Sequence, residues 1–357
     1  MYGSGKRPPE RRNRSDMNGS TYDSYDVSTS QPTFASQGVP QCYKLRMVNI
    51  IGLVRHPFSF SCSEKFLLGF GLLSSVVALG FTVQRLTKLP RWSDDFTFTL
   101  MTLIPILFNA WFIISGIVKA RFQDIIAFIL SFAIMTFYLG ISVFSSHETD
   151  PDPLLKKVRF GLAVASFVVV LLFGGYSAWD YYVRREYIYR INAKGEMQSK
   201  LCRLFWCSSF ISFDLEVQVS MIILVMDEGM MWNEVDIIVI VVGLLILIAW
   251  AVAGFKAIYL ESDKYFWIFM SLLWPNAVYN VWRIVSIYRE RPMEAWNILR
   301  HAVLGCGVIA LLTRLTIGIS MCVFKRDFGK GVKEKLAQFR EPREDEAAPL
   351  TTIQDNV

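Results

Sequence analysis

The sequence predicts an all-α integral membrane protein with about eight transmembrane helices, arranged as two parallel four-helix repeats. Three observations carry that expectation. Hydrophobic residues make up 53% of the 357 residues and charged residues only 19%, with a mean hydropathy of +0.36. The apolar residues fall in runs of about 20, the length a helix needs to cross the hydrocarbon of a bilayer; a soluble helix would show a single apolar stripe instead. Finally, a set of residues recurs along the chain at a nearly constant offset.

Residues 1–40 are rich in Ser, Tyr, Arg, Pro and Gly and read as a disordered cytoplasmic tail. They hold no apolar stretch, so no cleavable signal peptide is expected and the first span directs insertion. Residues 41–65 scatter apolar positions among Lys44, Arg46, Arg55 and Lys65, as expected of an amphipathic or looped juxtamembrane segment. A first half, 66–187, carries spans near Phe66–Val83, Phe96–Val118, Ile125–Phe144 and Phe160–Trp179. A cytoplasmic linker, 188–204, leads to a second half, 205–328, with spans near Phe205–Met226, Ile237–Phe255, Tyr265–Ile287 and Ala302–Phe324. The fifth span is the least apolar because it holds Asp214, Glu216 and Gln218. Residues 329–357 form a charged C-terminal tail.

Lys and Arg near span ends accumulate on the cytoplasmic side. With the N-terminus inside and eight crossings, nineteen of them fall inside, from Lys44 to Lys335, and nine outside, from Arg85 to Arg300. Removing the fifth span would put the basic loop 180–204 or the basic C-terminal tail outside. Both termini are therefore expected in the cytoplasm, with the body in the plasma membrane or an endomembrane.

Trp92-Ser93-Asp94 before the second span parallels Trp232-Asn233-Glu234 before the sixth. Ala110-Trp111 parallels Ala249-Trp250, and Lys119-Ala120 parallels Lys256-Ala257. Val158-Arg159-Phe160 at the entry of the fourth span parallels Leu299-Arg300-His301 at the eighth, and Arg184-Arg185-Glu186 at its exit parallels Lys325-Arg326-Asp327. An offset near 140 held across these anchors predicts an internal duplication. Each half has an even number of spans, so the two enter the bilayer in the same sense and the repeat is parallel.

Charged and amide side chains in mid-bilayer are costly, and they face partners or cavities. The candidate intramembrane polar site consists of Asp214, Glu216 and Gln218 on the fifth span, Asn276, Asn280 and Arg283 on the seventh, and Arg314 on the eighth. Asp214 and Glu216 point about 200° apart on a helix, so only one of them can meet Arg314; Asp214 with Gln218 makes the more coherent stripe. One reading is a polar pathway between the halves. The other is glue between helices, one charge pair plus amide hydrogen bonds.

The six cysteines and three histidines show no metal-ligand spacing, so neither metal nor cofactor is expected. No nucleophile elbow, phosphate-cradling glycine loop or His–carboxylate set is present, so an enzyme is not expected. A net charge of +6 lies between the apolar runs with no exposed basic patch, which argues against nucleic acid. The expected partners are the lipid bilayer and, through the tails, cytoplasmic proteins; Asp355-Asn356-Val357 has the form of a segment that adds to a sheet edge. Two functions follow: a small-solute or ion transporter or channel, or a non-transporting scaffold, complex subunit or sensor.

Overall fold

The apolar runs form helices long enough to cross a bilayer. The computed structural model describes residues 45–48, 52–55, 60–90, 94–144, 153–184, 195–224, 234–290 and 298–329. The described residues contain eight helices: α1 (Cys62–Lys88), α2 (Asp94–Val118), α3 (Phe122–Phe144), α4 (Pro153–Arg184), α5 (Gly195–Ile223), α6 (Glu234–Leu260), α7 (Asp263–Glu290) and α8 (Ile298–Lys325). Six of these, α1 to α4 with α6 and α8, are long and apolar enough to span a membrane. The protein is a multi-pass helical protein of membrane type.

Local chemistry sets several of the ends. Ser61 caps α1: its hydroxyl accepts from the Glu64 amide at 3.3 Å, and the Glu64 carboxylate accepts from the Ser61 amide at 2.7 Å. This reciprocal box satisfies two amides that the first turn leaves free. Leu89 ends the helix in an extended conformation before Pro90, which disfavours helical geometry in the residue preceding it. The α2–α3 and α6–α7 connections are tight, and each carries one non-glycine residue at positive φ, Ala120 (49°) and Glu261 (48°).

Neighbour relations divide the helices into two rings of four. In the first, α1 packs on α2, α2 on α3, α3 on α4, and α4 back on α1. The second repeats this order: α5 on α6, α6 on α7, α7 on α8, and α8 back on α5. The rings meet where α2 and α3 lie against α5 and α8. One apolar core crosses this junction, from Met101, Phe128 and Phe132 to Val217, Met221, Cys306 and Ala310; a second, around Trp250, Phe269 and Met321, fills the other ring. Side chains pack tightly onto backbone within it: a Cβ on Gly254 of α6 would stand 2.7 Å from the Phe269 ring of α7.

The polarity is inverted relative to a soluble protein. Leu73, Val76, Leu172, Trp179, Leu245, Trp274, Leu312 and Leu315 face outward, while Asp214, Glu216, Asn280 and Arg314 are buried. Helix α5 has no exposed residue from Lys200 to Leu224. Its polar side chains therefore lower its hydropathy without meeting lipid. Helix α7 also falls short on hydropathy, yet Trp267, Trp274, Val278, Val281, Trp282 and Val285 form an exposed apolar face.

Two expectations about segments need correction. Residues 188–204 are not linker throughout, since α5 starts at Gly195 and carries the fifth helix well ahead of Phe205. The described residues of the juxtamembrane segment include two short strands and, from Cys62, the start of α1. The strands form an antiparallel hairpin, β1 (Leu45–Val48) with β2 (Gly52–Arg55), in which Leu45 pairs with Arg55. The N-terminal tail, residues 330–357 and the Trp92 and Trp232 anchors lie outside the described residues.

Candidate functional site

Helix α5 presents its polar residues on two faces, and each face meets a different partner. Asp214, fully buried, turns into the second ring, where Oδ2 lies 3.1 Å from Nε of Arg314 on α8. Neither atom makes an aligned hydrogen bond, so attraction between charges rather than a directed bond joins them. The other Asp214 oxygen accepts from the Thr313 hydroxyl at 2.8 Å and the Gln218 amide at 3.4 Å. Gln218 in turn accepts from Asn280 Nδ2 of α7 at 3.3 Å. The Arg314 guanidinium stacks on Trp250 of α6, 3.9 Å from the ring centroid, which compensates part of its lost hydration. The result is a chain across three helices: Arg314, Asp214, Gln218, Asn280.

Three of the residues grouped by sequence, Arg283, Asn276 and Glu216, lie off that chain. Arg283 donates from Nη2 to the Leu224 carbonyl at 3.0 Å, satisfying an orphan acceptor at the end of α5. Asn276 is half-buried, and its Nδ2 has no hydrogen-bond partner.

Glu216 points the other way, into the junction between the rings. Its Oε1 accepts from the Ser131 hydroxyl of α3 at 2.6 Å, its Oε2 has no hydrogen-bond partner, and the residue is 1% exposed. Among the described residues no cation stands within ion-pair distance of it. Ser131, Met135 and Tyr138 share one face of α3 at spacings of four and three. Asn109 of α2 reaches Met135 Sδ at 4.0 Å and leaves its Oδ1 without a hydrogen-bond partner, while the Tyr138 hydroxyl lies beside the Cys306 thiol of α8. A carboxylate without a cation and an unsatisfied amide oxygen thus lie beside one face of α3 where the rings meet.

Sequence reasoning missed Ser131, Tyr138 and Trp250. Serine and tyrosine in an apolar run carry no signal until a neighbouring helix supplies a carboxylate. It also missed Asp124, near the start of α3, whose carboxylate accepts from Ser115 of α2 at 2.7 Å and from Ser209 of α5. In the turn before it, outside the spanning segments, burial pushes Lys119 below the usual lysine range, and the adjacent Arg121 adds to that effect. No group of His, Cys, Asp and Glu capable of holding a metal occurs among the described residues.

A helical bundle with an outward apolar surface and an interior polar chain defines a multi-pass membrane protein. A family model described as a domain of unknown function, DUF7789, matches residues 54–176 and 192–323. These segments make up more than half of the chain, and the chain belongs to that family. No curated protein and no solved structure matches it.

Proposed function

We propose that this protein crosses the membrane eight times, with both termini cytoplasmic, and moves a small solute or ion through the polar junction between two duplicated four-helix halves. The observation that carries the reading is Glu216. A carboxylate fully buried near mid-membrane, with no cationic partner, marks a proton- or cation-binding position more often than a structural one. The reading does not call for an enzyme or a cofactor.

Eight crossings are supported by the absence of any exposed residue in α5 between Lys200 and Leu224 and by the apolar outward face of α7. Their 29 and 28 residues extend about 42–44 Å, enough to span. Duplication is supported by the shared ring order and by the two left-handed turn residues, Ala120 and Glu261, which stand 261 − 120 = 141 apart. The two family-matched segments start 192 − 54 = 138 apart. Orientation rests on the Lys and Arg bias. Tags at the two ends should both resist external protease in intact cells; ends on opposite sides of the membrane would remove the eight-crossing arrangement.

Transport is tested with the full chain in liposomes holding an entrapped pH dye, under a potassium diffusion potential set with valinomycin. Proton flux above that of protein-free vesicles is expected, with Glu216→Gln abolishing it. The Asp214–Arg314 pair supports a second reading, since a charge pair that satisfies itself needs no substrate. If protons, sodium, chloride, potassium in vesicles without valinomycin, and a panel of labelled small solutes all stay at the protein-free rate, the protein is a non-transporting scaffold, subunit or sensor that works through its tails.

A further inference from the structure

A cavity of about 170 Å³ lies within the first ring; neither Glu216 nor Arg314 lines it, although Met135 of the α3 face described above does. Phe70 and Ile106 form part of its apolar wall. Its mouth opens sideways between α1 and α4, where the lining residues Leu73 and Leu162 face outward at 63% and 44% exposure. One end is polar, formed by Thr82, six residues before the end of α1, and Arg159, six residues after the start of α4.

Arg159 is 8% exposed, and Nη2 donates to the Thr82 hydroxyl at 3.1 Å. A neutral hydroxyl does not balance a guanidinium. Asp95, in the first turn of α2, is held by Arg85 at 3.2 Å and Lys156 at 3.4 Å, and no carboxylate among the described side chains stands within ion-pair distance of Arg159. A buried charge without a counter-charge is costly. Here it lies at the rim of an apolar crevice open to lipid. From Thr82 to Phe70 the crevice follows twelve residues of α1, about 18 Å from the membrane face toward its centre.

We propose that this crevice holds one acyl chain of an anionic phospholipid, with the phosphate on Arg159. A phosphate there would receive charge-assisted hydrogen bonds from a fork-shaped donor. The sideways mouth lets the second chain stay in the bilayer, so the lipid enters without leaving the membrane. A free phosphate would satisfy Arg159 but leave the apolar walls empty. The proposal concerns the first ring alone and stands whether or not Glu216 conducts.

The test uses the full chain in phosphatidylcholine vesicles doped with a phosphatidylglycerol that carries a photoreactive group in one acyl chain, with labelled peptides mapped by mass spectrometry. Label should concentrate on α1 and α4 around Leu73 and Leu162. Unlabelled phosphatidylglycerol should compete it away, while phosphatidylcholine and inorganic phosphate should not. Arg159→Gln should lower the label about tenfold, equivalent to about 1.4 kcal/mol. Ala163→Phe, which fills the cavity without touching charge, should lower it as well. Labelling of the outward faces of α6 and α7 as strong as that of α1 and α4 would mean bulk bilayer lipid only and would overturn the proposal. Competition by oleate but not by phosphatidylglycerol would overturn the phospholipid assignment. The parent protein's label map and competition decide the matter even if neither variant folds.

Discussion

Arg314→Leu or Asp214→Leu alone should sharply lower the yield of folded protein, and the double substitution should restore most of it. The two charges lie 3.1 Å apart and are almost fully excluded from solvent. Removing one leaves the other buried and uncompensated, which costs about 3–5 kcal/mol in proteins generally. Removing both eliminates the orphan charge and leaves Thr313, Gln218 and Asn280 to bond among themselves. Arg314 retains the Trp250 face in the Asp214→Leu variant, and Asp214 retains the Thr313 and Gln218 bonds in the Arg314→Leu variant, so both single variants should fall short of the parent. Monodispersity and thermal unfolding in detergent measure the effect. Single variants as stable as the parent would show that the pair contributes nothing. Flux measurements on the double variant separate the two roles: retained flux makes the pair structural glue, and a folded but inactive variant places it on the pathway.

The second large effect belongs to a cluster outside the candidate site. Arg55, at the end of β2, reaches both oxygens of Glu64, at 2.9 and 3.3 Å. The Tyr181 hydroxyl near the end of α4 donates to the same carboxylate at 2.5 Å, and Arg55 also donates to Tyr181 at 3.3 Å. The Arg55 guanidinium sits over the Phe60 ring, 5.5 Å from its centroid. Glu64 thereby performs two tasks, capping α1 and anchoring the hairpin to α1 and α4. Glu64→Gln removes the charge that faces the buried Arg55 guanidinium at 2.9 Å, with an expected loss of up to about 3–5 kcal/mol. Arg55→Met combined with Glu64→Gln should recover much of it, and Tyr181→Phe should cost only about 1 kcal/mol. Thermal unfolding reads the global term, and limited proteolysis between residues 41 and 56 reads release of the hairpin. Unchanged proteolysis in Glu64→Gln would show that the hairpin is held by other contacts.

The sequence makes the helices legible because bilayer length and apolarity are local properties. It makes the approach of Arg314 to Asp214 legible because these are opposite charges near the centres of their spans. It obscures what depends on three-dimensional neighbours. Glu216 could be suspected but not placed, since only the fold shows that it faces Ser131 across the junction rather than the second ring. Asn276 and Arg283 share a face with Asn280 yet take no part in its chain, because i, i+4 and i+7 spacing specifies direction and not depth. The hairpin is invisible because its strands have four residues each, too short for an alternation signal. Arg55 finds Tyr181 across 126 positions, a distance that no local pattern records. The early start of α5 is hidden because Lys200 and Arg203 resemble loop residues until one sees Arg203 paired with Asp327 at 2.6 Å.

The way the rings meet has a consequence for the history of the chain. Under the proposed duplication α1 corresponds to α5 and α4 to α8, whereas α2 and α3 correspond to α6 and α7. The junction joins α2 and α3 of one ring to α5 and α8 of the other, so it is head-to-tail and its two sides descend from different parts of the ancestral unit. Equivalent helices therefore came under opposite selection. Helix α1, with 22% of its most apolar window buried, remained greasy, while α5, enclosed from Lys200 onward, was free to collect Asp214, Glu216 and Gln218. An unduplicated relative of this family should carry apolar residues at all three positions, because a lone ring offers that helix no shelter from lipid.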